Sequence, residues 1–525
     1  MKTFLAALGH LVLGVLHGFD RLVFRGHLRQ LSYAHGMDCY LSANRVLLKD
    51  FKAHAMQRTA LLIEASLAEA HRLQRPTPYL NSSTISKEEE ARRIADHDQV
   101  REGLICVFKC VEPCWTFEVH RNRQQKMLQL RGKQGKCSFL YHYYMHPVFG
   151  LMHVRIQTWF PYAMQVCLNG RHWLARQLDQ AGLSYARRDN KFTDMEDFGQ
   201  AQALLDQQVR TPWPQRLDEI TRLVHPAHPQ LLGRLPVNYY WSVYQSEWAS
   251  DVVFRQRADV EKLFGHWVRH ALMTYQSAEV MRFLGRAVPL SGRVRQGFDG
   301  EVSSNVCRRE EGVRIKHWVN GNSIKMYDCD RVLRIETTIN QAGEFKAYRA
   351  SETDPQGQKD WRVMRRGVAD LHRRAEVSQA ANERYAVAIA AVGETTPLKE
   401  VAEPLCRRVR GPGPSRARQE RALNPLSAQD AALLEAVNDP KHTVNGLRNR
   451  DLVAMLYPQP ARTEQEQRRR SAGVTRLIRL LRAHSILQKV PKTHRYQVSE
   501  EARKTVTALL AARNANAEFL TSNVA

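Results

Sequence analysis

Between residues 103 and 160 the chain reads "GLICVFKCV", "CWTFEVHR", "KMLQLRG", "CSFLYHYY" and "MHVRIQTWF". These are aromatic and β-branched runs broken by polar turns, the signature of strands. A strand cannot satisfy its own backbone, so these runs demand a sheet. The same chain also carries long helical patterns, of which "RTALLIEASLAEAHRL" is the clearest. Strands and helices come in blocks rather than in regular alternation, which predicts an α+β chain and excludes a doubly wound parallel sheet.

At 525 residues the chain is too long for one ordinary domain. The pattern divides it into a mainly helical region at 1–100, a strand-rich α+β region at 101–213, and a helical segment with a β-hairpin region (299–350) and a basic helix at 214–400. A Pro/Gly/Arg linker at 401–426, a compact domain at 427–515 and a tail at 516–525 follow. The N-terminal "MKTFLAALGHLVLGVLHGF" is interrupted by His10 and is followed by no small-residue cleavage site. It is shorter than a membrane span and predicts a buried helix in a cytoplasmic protein.

The net charge of +25 favours a polyanionic partner, because Lys and Arg that neutralise phosphates release condensed counterions. Nine cysteines, irregularly spaced, suggest no disulfide framework. Cys106, Cys110 and Cys114, with Cys137, fit neither zinc nor iron–sulfur spacing. His142, His146 and His153 have no helix to bring them together, and no metal site is predicted from them. Walker, dinucleotide-binding, G-x-S-x-G and H-E-x-x-H motifs are absent, which leaves nucleotide hydrolysis, nicotinamide chemistry, serine hydrolysis and zincin proteolysis unsupported.

After residue 426, helices are predicted over 427–437 with Ser427 as N-cap, over 449–456 and over 464–484. In the third, Val474, Leu477, Ile478 and Leu481 form the buried stripe, while Arg468, Ser471, Thr475, Arg479 and Arg482 gather on another face. Arginines and hydroxyls along one helical face suit the DNA major groove; a solvated basic helix has the same pattern. "ILQKV", "PKTHR" and "YQV" then form a basic hairpin, and Ser499 caps a last helix. This order resembles the winged-helix domains of MarR-like regulators. The resemblance implies that the third helix enters the major groove and that Lys489, Lys492, His494 and Arg495 are wing contacts. The chain as a whole, from "GFDRLVFRGHL" to the wing, resembles uncharacterised basic bacterial proteins with such a C-terminal domain.

Chemistry, if any, points to scattered acids. Along "VLRIETTI", Arg334, Glu336 and Thr338 share one face, so Lys325, Tyr327, Arg334, Glu336 and Lys346 could line a basic sheet surface around one carboxylate. Such a carboxylate can ligate Mg²⁺ in a phosphodiester-cleaving site, or can be an Arg-paired strand residue. The segment at 312–349 resembles replication initiators of phages and plasmids over some 20 residues, yet no His-x-His with an apolar centre is present. Tyr240 and Tyr244 are the spacing of a strand-nicking pair, or packing aromatics. Asp20, Glu118 and Glu336 are the candidate catalytic residues, with Glu112, Glu247 and Asp251 as further acids. "GFDRLVF" is compatible with a ribonuclease-H-like first strand.

The sequence therefore predicts a protein that binds double-stranded DNA through its C-terminal domain, with a basic body for further nucleic-acid contact. A metal-dependent nuclease, transposase or initiator using Mg²⁺ is the alternative, and binding of single-stranded DNA or RNA a further one. No membrane partner is expected.

Overall fold

The computed structural model describes the chain except residues 83, 125, 276, 286–301, 310–311, 352–353, 355, 391–397, 411–418, 440–441, 443–445, 492 and 515–525. It is an α+β chain that divides into two compact units. One comprises residues 9–264 and 305–383; the other comprises residues 1–8, 265–304 and 384–525. No helix among the described residues is long and apolar enough to cross a membrane.

The first unit is built on a ten-stranded sheet. Its strands are β1 (Val12–His27), β2 (Gly103–Asn122), β3 (Met127–His146), β4 (Gly150–Gln157), β5 (Met164–Asn169), β8 (Tyr240–Phe254), β9 (Ser303–Arg309), β10 (Gly312–Val319), β11 (Asn322–Cys329) and β12 (Val332–Ile339). The spatial order is β2-β3-β4-β5-β1-β8-β12-β11-β10-β9. A separate hairpin, β6 (Tyr185–Arg188) and β7 (Lys191–Met195), lies outside that sheet. The three blocks that the sequence divides at 100 and 213 thus contribute strands to one sheet, with β1 near its centre.

The N-terminal apolar run is therefore not the helix that was expected. Only Lys2–Leu8 (α1) and a 3-10 turn at Gly9–Leu11 are helical; Val12 begins the long strand β1. Flanked by β5 and β8 and covered on both faces, β1 has a near-continuous apolar sequence, which periodicity cannot tell from a buried helix. Neither neighbour is the next strand in sequence, so β1 does not open a ribonuclease-H-like hairpin.

Helices α2 (Ala34–Ala43), α3 (Phe51–Arg72), α4 (Lys87–His97), α5 (Gly170–Ala181), α6 (Phe198–Arg210), α7 (Trp213–Val224) and α8 (His228–Leu232) surround this part of the sheet, and α9 (Arg257–Thr274), α10 (Ser277–Phe283) and α11 (Leu371–Ala390) follow. Two glycines let α6 lie directly on β1. A Cβ at Gly14 would stand 2.2 Å from the Phe198 ring, and one at Gly18 2.9 Å from Leu205. On the other face of β8 and β12, Asn382 of α11 donates to the carbonyls of Trp248 (3.1 Å) and Ile335 (3.0 Å) and accepts from Thr337 (2.7 Å). Buried Arg374 donates to the Val243 (2.9 Å) and Ile339 (3.2 Å) carbonyls. These buried donors satisfy backbone groups and lock the two strands from behind.

Lys346 belongs to a separate ribbon, β13 (Lys346–Arg349) with β14 (Asp360–Val363), and does not join the sheet surface expected to carry it. In the second unit, α12 (Leu398–Ala402) precedes a short ribbon of β15 (Val409–Arg410) and β16 (Gln419–Glu420). Next come α13 (Ala428–Asn438), α14 (Asn449–Leu456), α15 (Glu464–Ala483), β17 (Leu487–Lys489), β18 (Tyr496–Val498) and α16 (Glu500–Asn514). The described flanks of the expected linker are folded: Leu405 and Leu423 are buried with Leu434, Leu452, Val474 and Leu481 in one core, and Arg421 pairs with Asp430. The tail at 516–525 lies outside the described residues.

Candidate functional site

Asp20, Glu247 and Glu336 converge. Each offers a carboxylate oxygen within 4.8 Å of the others, although more than 200 residues separate the first from the second. They stand on three neighbouring strands, β1, β8 and β12. Along β8 and β12 the register pairs Glu247 with Thr338, Ala249 with Glu336, and Asp251 with Arg334, so Glu247, Asp251, Arg334, Glu336 and Thr338 share one face.

Asp20 reaches that face through a bulge. Phe19 is opposite Trp248 and Arg21 opposite Glu247, with the register shifting between them. Strict alternation would turn Asp20 away from Arg21; the extra residue redirects its carboxylate toward the same face. Sequence alternation alone gives no sign of this shift.

The cluster is set in cations. Arg334 grips Asp251 with two bonds, Nε to Oδ1 at 2.6 Å and Nη2 to Oδ2 at 2.9 Å, and reaches Asp20 with Nη1 at 3.1 Å. Arg171, fully buried at the start of α5, stands 2.9 Å from Asp251 and 3.8 Å from Asp20. Asn190, between β6 and β7, donates to Asp20 at 2.7 Å. Lys325 of β11 lies 2.6 Å from Glu336 and 3.5 Å from Glu247. Burial pushes the Glu336 carboxyl above the usual carboxylate range, against the pull of Lys325 and with the push of Glu247 and Asp20. Burial would lower Lys325, but Glu336 and Glu247 hold its ammonium above the ordinary range. Asp251 is itself buried, yet Arg171 and Arg334 keep it below the usual carboxylate range. The cluster meets solvent beside Arg21, which is exposed, and Glu247, which is partly so. Three carboxylates with no imidazole or thiolate among them are oxygen ligands of the kind that suit Mg²⁺ or Mn²⁺ rather than zinc.

Of the predicted catalytic residues, Asp20 and Glu336 are in this cluster and Glu118 is not. Glu118 is exposed on the β2–β3 ribbon and pairs with Lys133 at 2.5 Å. Glu112 is likewise elsewhere, held by Arg155 and Tyr141. Tyr240 and Tyr244 are exposed, with Arg29 and Arg25 over their rings at 3.3 and 5.1 Å; they are not packed aromatics. His142 bonds the Ser66 carbonyl, whereas His153 opposes Tyr143 on the other face of the sheet, so the three histidines do not converge.

In the second unit, β17 and β18 form the expected hairpin. Leu447, between α13 and α14, makes an antiparallel bridge with Tyr496 through bonds of 2.7 and 2.8 Å. Val474, Ile478 and Leu481 of α15 are buried, as is Leu480; Leu477 is half-buried. Of the five residues expected on its outer face, Arg468 and Thr475 are exposed. Ser471 and Thr475 hydrogen-bond Asn449 of α14 at 3.0 and 2.9 Å. Arg479 is half-buried and tied to Glu420 of β16 at 2.8 Å, and Arg482 lies 6.0 Å over the Tyr496 ring. Both arginines have partners within the unit: Arg479 binds Glu420 of the supposed linker, and Arg482 lies against the hairpin.

The exposed arginines of α15 are instead Arg468, Arg469 and Arg476, in line with Ala472 and Thr475. At about 100° per residue these positions cover one arc of the helix, and the helical wheel alone could have found Arg469 and Arg476. On the hairpin Lys489 and His494 are exposed and Arg495 is half-buried; Lys492 lies outside the described residues.

No family model, no curated protein and no solved structure matches the chain.

Proposed function

We propose that this chain is a DNA-binding protein whose residues 427–514 form a winged helix of the MarR-like type, with α15 as the helix that enters the major groove. The observation that carries this reading is the Leu447–Tyr496 bridge. It pairs the segment between α13 and α14 with the β17–β18 hairpin, which supports the order helix, strand-like pairing, helix, helix, hairpin. The outward arginines of α15 give that helix base-edge and phosphate donors, and Lys489 and His494 give the wing its cationic surface.

The body adds a second basic element. Residues 118–136 contain six Lys or Arg and one Glu, a net charge of +5. Of these, Arg121, Arg123, Lys126, Arg131 and Lys136 are exposed on the ribbon of β2 and β3. The register pairs β4 with Phe139–His146 of β3 only, so the tip is two-stranded, a width that a DNA groove admits.

The test is a duplex titration with the full chain. Changing Arg468, Arg469 and Arg476 together to Ala is expected to weaken binding at least about tenfold, since each good bidentate contact is worth about 1–3 kcal/mol. Arg479→Ala, which removes an inward pair, is the comparison. Equal losses from both, or a loss from neither, would overturn the assignment of α15. Preferential displacement by single-stranded RNA would make the partner RNA.

A further inference from the structure

We infer that Asp20, Glu247 and Glu336 form a site for one hard divalent cation, Mg²⁺ or Mn²⁺, with which the ammonium of Lys325 competes. Three carboxylates in contact do not make a site by themselves, because surface and structural acids cluster often. Here a second observation points into the cluster. Thr338 is 4% exposed, its hydroxyl oxygen is buried, and that oxygen has no hydrogen-bond partner. It lies directly opposite Glu247 and two residues from Glu336 on the same face, where paired side chains are about 5 Å apart. A buried hydroxyl without a partner is costly, and a hydrated cation beside it would supply one.

The charges agree. The cluster holds Asp20, Asp251, Glu247 and Glu336 with Arg171, Arg334 and Lys325 in its interior and Arg21 at its solvent edge beside Glu247. The two interior arginines are committed to Asp251 and Asp20. Lys325 is the ammonium shared by Glu247 and Glu336, and Arg21 stands beside Glu247 at the solvent edge, so one positive group lies between the two carboxylates. A divalent cation satisfies both carboxylates at once and frees the ammonium.

The scaffold suits a fixed site. The ligands come from central strands rather than loops, and Asn382 and Arg374 lock the opposite face. Mg²⁺ and Mn²⁺ bound by carboxylates keep open positions for water or a phosphate oxygen. Arg21, exposed beside Glu247, and Arg314 and Lys316, which continue the same face through their pairing with Tyr327 and Lys325, offer cations to such an anion. The ligand class is therefore a hard cation that presents itself to a phosphodiester.

This site does not depend on the winged helix, so its test uses no DNA. Mn²⁺ is titrated into the full chain and the free ion followed by electron paramagnetic resonance. One saturable ion per chain is expected. Glu336→Gln and Asp20→Asn should each lower its affinity by about tenfold or more, Thr338→Val should lower it less, within the range that outer-shell changes produce, and Lys325→Met should raise it. Circular dichroism checks that each variant is folded; if Asp20→Asn is not, Glu336→Gln and Lys325→Met carry the test. Absence of a saturable ion in both the natural chain and Lys325→Met would overturn the proposal. So would binding that survives Glu336→Gln unchanged.

Discussion

Lys325 Nζ lies 2.6 Å from one oxygen of Glu336 and 3.5 Å from one of Glu247, so a single ammonium holds two acids from different strands. All three side chains are largely buried, and removing the shared cation leaves two carboxylates without it. Lys325→Ala is expected to destabilise the fold by about 3–5 kcal/mol, the usual cost of breaking a buried ion pair from one side. Urea denaturation measures this. Millimolar Mn²⁺ is expected to restore part of the loss in the variant, and a variant as stable as the natural chain would show that the pair is structurally idle.

Asp251 is the anchor of the neighbouring network. It accepts two bonds from Arg334 and an ion pair from Arg171. Asp251→Ala leaves two buried guanidinium groups facing each other, and a loss of about 3–5 kcal/mol is expected. Urea denaturation of the variant checks that number.

Buried histidines make stability depend on pH. Burial lowers His17, His142, His153 and His317 from 6.5 to about 4, and His225 to about 3. The unfolded chain binds these protons first, so stability is complete above about pH 6.5 and falls as pH drops from there toward 4. A fall of several kcal/mol between pH 7.5 and pH 5 is expected in urea titrations; a flat profile would contradict the burial of these rings.

His225 isolates one contribution. Neither of its ring nitrogens has a hydrogen-bond partner, and the residue is 1% exposed. His225→Phe is expected to stabilise the protein by roughly 1–2 kcal/mol at neutral pH, since an unsatisfied buried polar group is removed. The gain should grow at pH 5, where the natural histidine favours the protonated unfolded chain.

How much of this was legible in the sequence depends on how local each feature is. The C-terminal helices were readable almost to the residue, because caps at Ser427 and Ser499 and the apolar stripe of α15 are short-range signals. Asp20 and Glu336 could be named as acids of interest, and Glu247 noticed, but nothing local reveals that β8 lies between β1 and β12. The bulge that redirects Asp20 is a register property of two strands far apart in the chain. The first part of strand β1 is hidden because a strand largely covered on both faces lacks clear alternation. The inward pairing of Arg479 is hidden for the same kind of reason: its partner, Glu420, comes from a segment whose Pro, Gly and Arg content resembles an unstructured linker.

Fluorescence anisotropy of a labelled duplex across a salt series tests the proposal that the chain grips duplex DNA through α15 and the adjoining hairpin. Binding by the full chain should weaken linearly on logarithmic axes as salt rises, and Lys489→Ala with Arg476→Ala should both weaken binding and make that slope shallower. Tight binding whose salt dependence is identical in the natural chain and the variant would place the DNA elsewhere and contradict the claim.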